Sequence, residues 1–125
     1  AQSAFKHMKD QGGGKIINIS SISVKYGGSL QTLHYGAAKS AMETAALGLS
    51  KAGAKHNILV NTVRGGYIDT PMHEKMGRKN LKERIDMIPL KRAGKPQDMA
   101  GMVLFLASEA GDFITGETFT VAGGD

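Results

Sequence analysis

Two runs of sequence decide the fold: Lys15-Ile-Ile-Asn-Ile-Ser20 and Asn57-Ile-Leu-Val-Asn-Thr-Val63. Each is short, largely apolar and rich in β-branched residues, the pattern of a strand buried on both faces of a parallel sheet. Glycines bracket them, Gly12-Gly13-Gly14 before the first and Gly65-Gly66 after the second. Between them, from about His34 to Lys55, lie Gly36, Ala37, Ala38, Ala41, Ala45 and Ala46. The alanines favour a long helix, and small residues let it pack close to a neighbour. Strand, helix, strand is the crossover unit of a parallel sheet.

Ahead of the first strand, Ala4, Phe5 and Met8 recur at helical spacing and predict the tail of a helix over residues 1–10, which the three glycines terminate. The opening residues show neither an initiator Met nor the basic, apolar and small-residue zones of a signal peptide, and read as the interior of a longer chain. A loop is predicted from Ser21 to about Leu33, with Gly27 and Gly28 as breakers. Beyond the second strand Thr70-Pro71 breaks the chain, and His73 to Met87 is predicted as one or two short charged helices in a long excursion of the kind that forms binding loops. Pro96 opens a further helix with Asp98 in its first turn and an apolar stripe of Met99, Val103, Leu106 and Ala107. Thr118 to Val121 is the last predicted strand, followed by Gly123-Gly124.

The 125 residues suit one domain, and 41% hydrophobic with 22% charged residues is the composition of an ordinary globular protein. Apolar runs such as Met102 to Ala107 are far too short to span a bilayer, so no membrane segment is expected. The absence of cysteine excludes disulfides and thiolate metal sites, and a cytoplasmic location is the default expectation. The net charge of +5 raises nucleic-acid binding as a possibility. Its densest basic group, Lys75, Arg78, Lys79, Lys82 and Arg84, is interrupted by Glu74, Glu83 and Asp86 and holds no aromatic residue, which predicts a solvated helix face instead.

Tyr35 and Lys39 stand four apart at the start of the long helix, so their side chains share one face. A phenol ionises near pH ~10, and a neighbouring ammonium favours the phenolate, which moves such a group toward useful acid/base chemistry at neutral pH. The spacing alone is weak evidence in a Lys-rich chain. What gives it weight is an ordered set: Ile16-Ile-Asn-Ile-Ser-Ser21, Tyr35-Gly-Ala-Ala-Lys39, Val60-Asn61, Gly66-Tyr-Ile-Asp-Thr-Pro-Met72, and Phe113-Ile-Thr-Gly116 with Gly123-Gly124. In order and spacing this set resembles the short-chain dehydrogenase/reductases, especially the branch with ketoacyl-carrier-protein reductases, hydroxysteroid dehydrogenases and sugar or polyol dehydrogenases. The resemblance covers essentially the whole chain.

That resemblance implies an NAD(P)-dependent oxidoreductase interconverting a carbonyl and a secondary alcohol. It implies an α/β fold, a Rossmann-like doubly wound parallel sheet of which only the second half is present, the fifth to seventh strands with their flanking helices. Residues 1–125 would then be the carboxyl-terminal catalytic half of a single domain. Tyr35 becomes the acid/base, and Ser21 the residue that hydrogen-bonds the substrate oxygen, with Ser20 as runner-up and Ser23 third. The family usually places its serine about thirteen residues before the tyrosine, where this chain has Ile22, so a one-residue loop insertion is inferred. Tyr35, Lys39, Gly66, Ile68 and Thr70 become the cofactor contacts, with Lys39 on the nicotinamide ribose. Tyr26, His34 and Met72 are substrate-pocket candidates. The cofactor is NAD or NADP, the substrate a small alcohol or carbonyl compound, and the assembly a dimer or tetramer of identical chains.

Two features depart from the family pattern. Gly65-Gly66 stands where Pro-Gly is common, which predicts a more mobile loop, and Arg64 before it reads as a surface residue, with contact to a cofactor phosphate as the alternative. Neither His34 nor His73 has a second ligand at metal spacing, so no metal centre is expected. A dinucleotide site also needs a glycine-rich turn from strand to helix that holds the pyrophosphate. Gly12-Gly13-Gly14 runs from helix to strand, the wrong order, and the family's catalytic asparagine would lie upstream of position 1. The alternative is therefore an inactive fragment that keeps the fold and assembly surfaces without holding a cofactor. Its first strand would present an unpaired apolar edge, which predicts a chain that is oligomeric, unstable or both.

Overall fold

In the computed structural model, which describes residues 1–75 and 81–125 (for 74 and 75 the backbone only), β1 (Gly14–Ser21) and β2 (Ile58–Gly65) lie parallel and adjacent. Their register runs from Gly14 opposite Ile58 to Ser21 opposite Gly65. On the other side of β2, β3 (Thr118–Val121) pairs in parallel, from Thr62 opposite Thr118 to Gly65 opposite Val121. The order is β1-β2-β3. Both long strands run on at their carboxyl ends past the predicted limits, through Ser21 and Gly65. The side chains there are polar or absent, but the backbone groups still find partners, and that decides where a strand ends.

The crossovers are α3 (Leu33–Gly53), between β1 and β2, and α6 (Pro96–Ala107), between β2 and β3. They lie on opposite faces of the sheet. Arg64 pairs with Glu43 of α3, whereas a Cβ placed on Gly65 would meet Met99 of α6 at 3.2 Å. Adjacent strand residues point to opposite faces, so the sheet is covered on both, as in a doubly wound fold. On the α3 face, Phe5 and Met8 of α1 (Gln2–Gln11) and Leu49 of α3 pack against a buried cluster of Ile16, Ala46, Ile58 and Val60. Burying each such side chain contributes roughly 1.5–3 kcal/mol.

Local chemistry explains where the elements stop. Gly12 ends α1 in a left-handed conformation, φ 91°, and the amide of Gly13 closes back on the Met8 carbonyl at 2.9 Å, as the glycine run predicts. α6 begins on Pro96, and the Asp98 carboxylate accepts the Lys95 amide at 2.8 Å. The predicted loop after β1 holds one short helical turn, α2 (Ser23–Tyr26). The charged excursion resolves into α4 (Pro71–Lys75) and α5 (Leu81–Met87); Arg78 and Lys79 lie outside the described residues. Lys82 meets Asp86 in an exposed pair at 3.2 Å, but Arg84 is not part of a solvated face: its guanidinium is partly buried against Asp125.

The Val60-Asn61 and Phe113–Gly116 motifs are one structural unit. Asn61 is buried; its amide nitrogen donates to the Ile114 carbonyl at 2.7 Å, and its side-chain oxygen accepts the Glu117 amide at 3.1 Å. The Thr115 hydroxyl accepts the Val60 amide at 3.0 Å, and the Gly116 amide donates to the Val60 carbonyl at 2.8 Å. These bonds guide the chain from α6 into the amino-terminal end of β3. No helix among the described residues is long and apolar enough to cross a membrane.

Candidate active site

Ligands of open parallel sheets gather beyond the carboxyl ends of the strands, and here that end collects most of the singled-out residues. Ser21 is the last residue of β1 and sits opposite Gly65, the last of β2. The register then continues into the loops, with the Ile22 amide donating to the Gly65 carbonyl at 2.8 Å. Ile22 itself is buried, which is why a count that lands on it must move to a neighbouring serine. The Ser21 Oγ accepts the Ser23 amide at 3.2 Å, and its own hydrogen has no acceptor among the described residues. Ser20 faces the other way: its Oγ is buried toward α3 and has no hydrogen-bond partner among the described residues.

α3 brings its first turns over this edge. Lys39 reaches down to β1 and its ammonium donates to the Ile19 carbonyl at 2.7 Å. The same Nζ lies 5.7 Å from the centroid of the Tyr35 ring, within cation–π range. Tyr35 itself is 42% exposed. An ammonium has three N–H donors, and the Ile19 carbonyl occupies one. Tyr35 and Lys39 are therefore brought together over the end of β1, the strand whose last residue is Ser21.

Of the second group, Gly66, Ile68 and Thr70 follow directly on β2. The Gly66 amide donates to the Val121 carbonyl at 2.9 Å, and a Cβ at Gly66 would stand 2.7 Å from Ala122. Glycine is thus required here by the close approach of β3, and this amide is already used within the protein. Ile68 forms an isolated parallel bridge with Gly94. It also helps line a cavity of about 280 Å³ with Tyr67, Leu90, Arg92 and Asp98. That cavity is not lined by Ser21, Tyr35 or Lys39.

The pocket candidates are more scattered. Tyr26 closes α2 and its hydroxyl donates to the Asp125 carboxylate at 3.1 Å; that hydrogen bond is the main reason its phenol is held above the ordinary range. His34 and Met72 are exposed, on the first turn of α3 and on α4 respectively. Neither is tied to the Tyr35–Lys39 pair by a contact that fixes its direction.

Three features escaped sequence reasoning. Arg64 is not a surface residue: it forms a two-pronged pair with Glu43, Nε to Oε1 at 3.0 Å and Nη2 to Oε2 at 2.5 Å, with both side chains at least four-fifths buried. The signal was available in the spacing, since Glu43 follows Lys39 by one helical turn and Arg64 shares strand parity with the buried Thr62. Asp125 gathers Tyr26 and Arg84 across long sequence separations, which no local pattern announces. His73 is buried against Tyr67, where the sequence offered only a histidine without a partner ligand.

Residues 1–125 match the family model described as enoyl-(acyl carrier protein) reductase. Among curated relatives, the 3-oxoacyl-(acyl-carrier-protein) reductase FabG of Thermotoga maritima is 39% identical over 127 aligned residues, covering 98% of this chain and 50% of that protein. Among solved structures, a short-chain dehydrogenase/reductase described as a glucose/ribitol dehydrogenase from Brucella melitensis superposes with a TM-score of 0.81 at 38% identity, over 88% of this chain and 44% of that one. A gluconate 5-dehydrogenase from Burkholderia cenocepacia, in complex with NADP and tartrate, gives 0.91 at 31% identity, over 99% of this chain and 49% of that one. The chain spans about half the length of the curated relatives it matches. Parallel strands, crossover helices and these likenesses together place the chain in the short-chain dehydrogenase/reductase family.

Proposed function

We propose that this chain is the carboxyl-terminal catalytic half of an NAD(P)-dependent oxidoreductase that interconverts a carbonyl and a secondary alcohol. The observation that carries the reading is the arrangement at the end of β1, where the Tyr35 ring lies 5.7 Å from an ammonium that is itself fixed on the Ile19 carbonyl.

The residues present fit the nicotinamide-ribose end of a dinucleotide. Lys39 has donors to spare for a ribose diol, Tyr35 offers a hydroxyl from the same helix face, and Ile68 and Thr70 lie on the loop that leaves β2 beside Ser21. A nicotinamide held there supplies or accepts the hydride. In the reducing direction the Tyr35 hydroxyl gives its proton to the substrate oxygen, and Ser21, whose hydrogen has no acceptor among the described residues, donates a hydrogen bond to that same oxygen. Lys39 favours the phenolate left on Tyr35 by its positive charge. In the oxidising direction the proton moves the other way. The substrate is a small alcohol or carbonyl compound, approached from the side of Tyr26, His34 and Met72. The Rossmann-type pyrophosphate turn is to come from an amino-terminal half that pairs with the free edge of β1, where Ile19 is 47% exposed.

The test is Tyr35→Phe in a polypeptide that carries both halves. It removes the transferable proton and leaves the ring over Lys39, so turnover should fall at least ~10²-fold, the scale of positioned acid/base catalysis, with the melting temperature unchanged. Near-normal turnover would overturn the assignment.

A second reading, a non-catalytic fragment that keeps the family's fold and assembly surfaces, is favoured by the lack of a pyrophosphate turn among the 125 residues. Calorimetric titration of the chain alone with NAD and NADP separates the two. Measurable affinity argues against the fragment reading, and its absence here alongside binding by the two-half polypeptide supports the first.

A further inference from the structure

The segment that leaves β2 starts from two glycines, Gly65 ending the strand and Gly66 following it, the residues that lose most backbone entropy when ordered. It is nevertheless held at several points. The Gly66 amide is on Val121, the Asp69 amide donates to the Gly94 carbonyl at 2.8 Å, and the Gly94 amide donates to the Tyr67 carbonyl at 2.9 Å. The remaining hold comes from His73, three residues beyond Thr70. Its ring is 7% exposed as a residue and lies 4.4 Å from the Tyr67 ring, tilted by 32°. Its Nε2 stands 2.8 Å from the Ile68 carbonyl oxygen, and its backbone amide donates to the Thr70 carbonyl at 3.1 Å. A carbonyl only accepts, so Nε2 carries the hydrogen and donates it. Chain and side chain thus close a small ring from Ile68 to His73, with the Ile68 peptide as its fixed member.

We propose that His73 is a positioning residue for the nicotinamide end of the cofactor, orienting the Ile68 peptide through its Nε2–H donor. This rests on the reading that Ile68 and Thr70 meet that end of the dinucleotide. His73 touches neither cofactor nor substrate; it replaces, from the far side of the loop, the rigidity that two consecutive glycines give up. Its ring packs on Tyr67 and its donor holds Ile68, and these two roles are separable by mutation.

His73→Phe keeps a ring for Tyr67 and loses the donor, whereas His73→Gln keeps a donor of similar reach and loses the ring. Both are to be made in the two-half polypeptide and titrated calorimetrically with NAD and NADP, then with ADP-ribose and its phosphorylated counterpart, which lack nicotinamide. The Phe variant should bind the complete dinucleotide about threefold to tenfold more weakly, the scale of one lost hydrogen bond. Its affinity for the ADP-ribose probes should be unchanged, and the Gln variant should match the wild type for both. In hydrogen exchange, the Phe variant alone should show faster exchange at the amides of Ile68 to Thr70. A Phe variant that binds the dinucleotide normally, a loss shared equally by the ADP-ribose probes, or a Gln variant as weak as Phe would each overturn the proposal. If the wild type bound no nicotinamide dinucleotide, the functional reading beneath it would fall as well, an outcome distinct from those three.

Discussion

Glu43→Gln is the most informative stability perturbation, because the pair it breaks involves the α3 face that carries Tyr35 and Lys39, the residues proposed to be catalytic. The Glu43 and Arg64 side chains retain 12% and 16% of their exposure and meet through two hydrogen bonds. An exposed pair contributes at most about 1 kcal/mol, and removing one partner of a fully buried pair costs about 3–5. This pair lies between those limits, so the substitution should cost about 2–3 kcal/mol at neutral pH. The sign with pH follows from the carboxyl. Burial pushes Glu43 upward, but hydrogen bonds from Arg64, its charge, and the nearby Ser20 hydroxyl outweigh this and hold the group below its ordinary value of 4.5. Of the depressing causes the hydrogen bonds from Arg64 come first, and the Ser20 Oγ does not reach ordinary hydrogen-bond geometry with any described residue. A depressed folded-state value adds stability that is present above the ordinary value and lost as pH falls through the folded one. Urea unfolding followed by circular dichroism, stepped from neutral pH to below about 4, should therefore show the gap between wild type and Glu43→Gln closing at the acid end. A variant within about 0.5 kcal/mol of wild type at neutral pH, the range of neutral surface changes, would refute the reasoning. A gap that persists undiminished in acid would refute it too, because Arg64 would then be losing something other than a carboxylate.

Two further outcomes are expected. Asn61→Ala should destabilise by about 2–3 kcal/mol in the same assay, since it removes two hydrogen bonds and leaves the Ile114 carbonyl and Glu117 amide without their partner. A loss under ~0.5 kcal/mol would show that water replaces the side chain there. The 125-residue chain alone should sediment as an assembly or aggregate, because β1 is paired on one side only and Leu104 and Phe113 are 70% and 102% exposed. A stable monomer with a sharp cooperative melt would contradict it.

How much was legible beforehand follows from which interactions are local. The strands were readable because burial on both faces demands unbroken apolar runs, and the start of β1 because glycine stops the helix before it; both long strands begin one residue from the predicted limit. The carboxyl-terminal limits were missed by one or two residues, since backbone pairing continued through Ser20, Ser21, Arg64 and Gly65 regardless of side chain. At the site, Tyr35 and Lys39 were visible as a helical spacing, and the structure adds the Ile19 carbonyl that fixes the ammonium. Arg64 was misread because its environment depends on Glu43, 21 residues away on another element. The connections of Asp125, to Tyr26 and Arg84, span still longer separations.

The misread residue bears on the one that was read. Tyr35, Lys39 and Glu43 occur at successive turns on a single face of α3. Besides Leu49, which packs on the core cluster, the buried residues of α3 are small: Gly36, Ala46, Ser50 and Gly53. None of these interlocks with the sheet as a large side chain would. Rotation is instead fixed by two polar contacts in sequence, Lys39 on the β1 carbonyl and Glu43 on the β2 guanidinium. The direction in which Tyr35 presents its hydroxyl is therefore set by a charge pair that touches no substrate. If so, the Glu43→Gln variant in the two-half polypeptide should lose kcat while keeping its KM for cofactor, and a kcat unchanged beside a lowered stability would confine the pair to holding the fold.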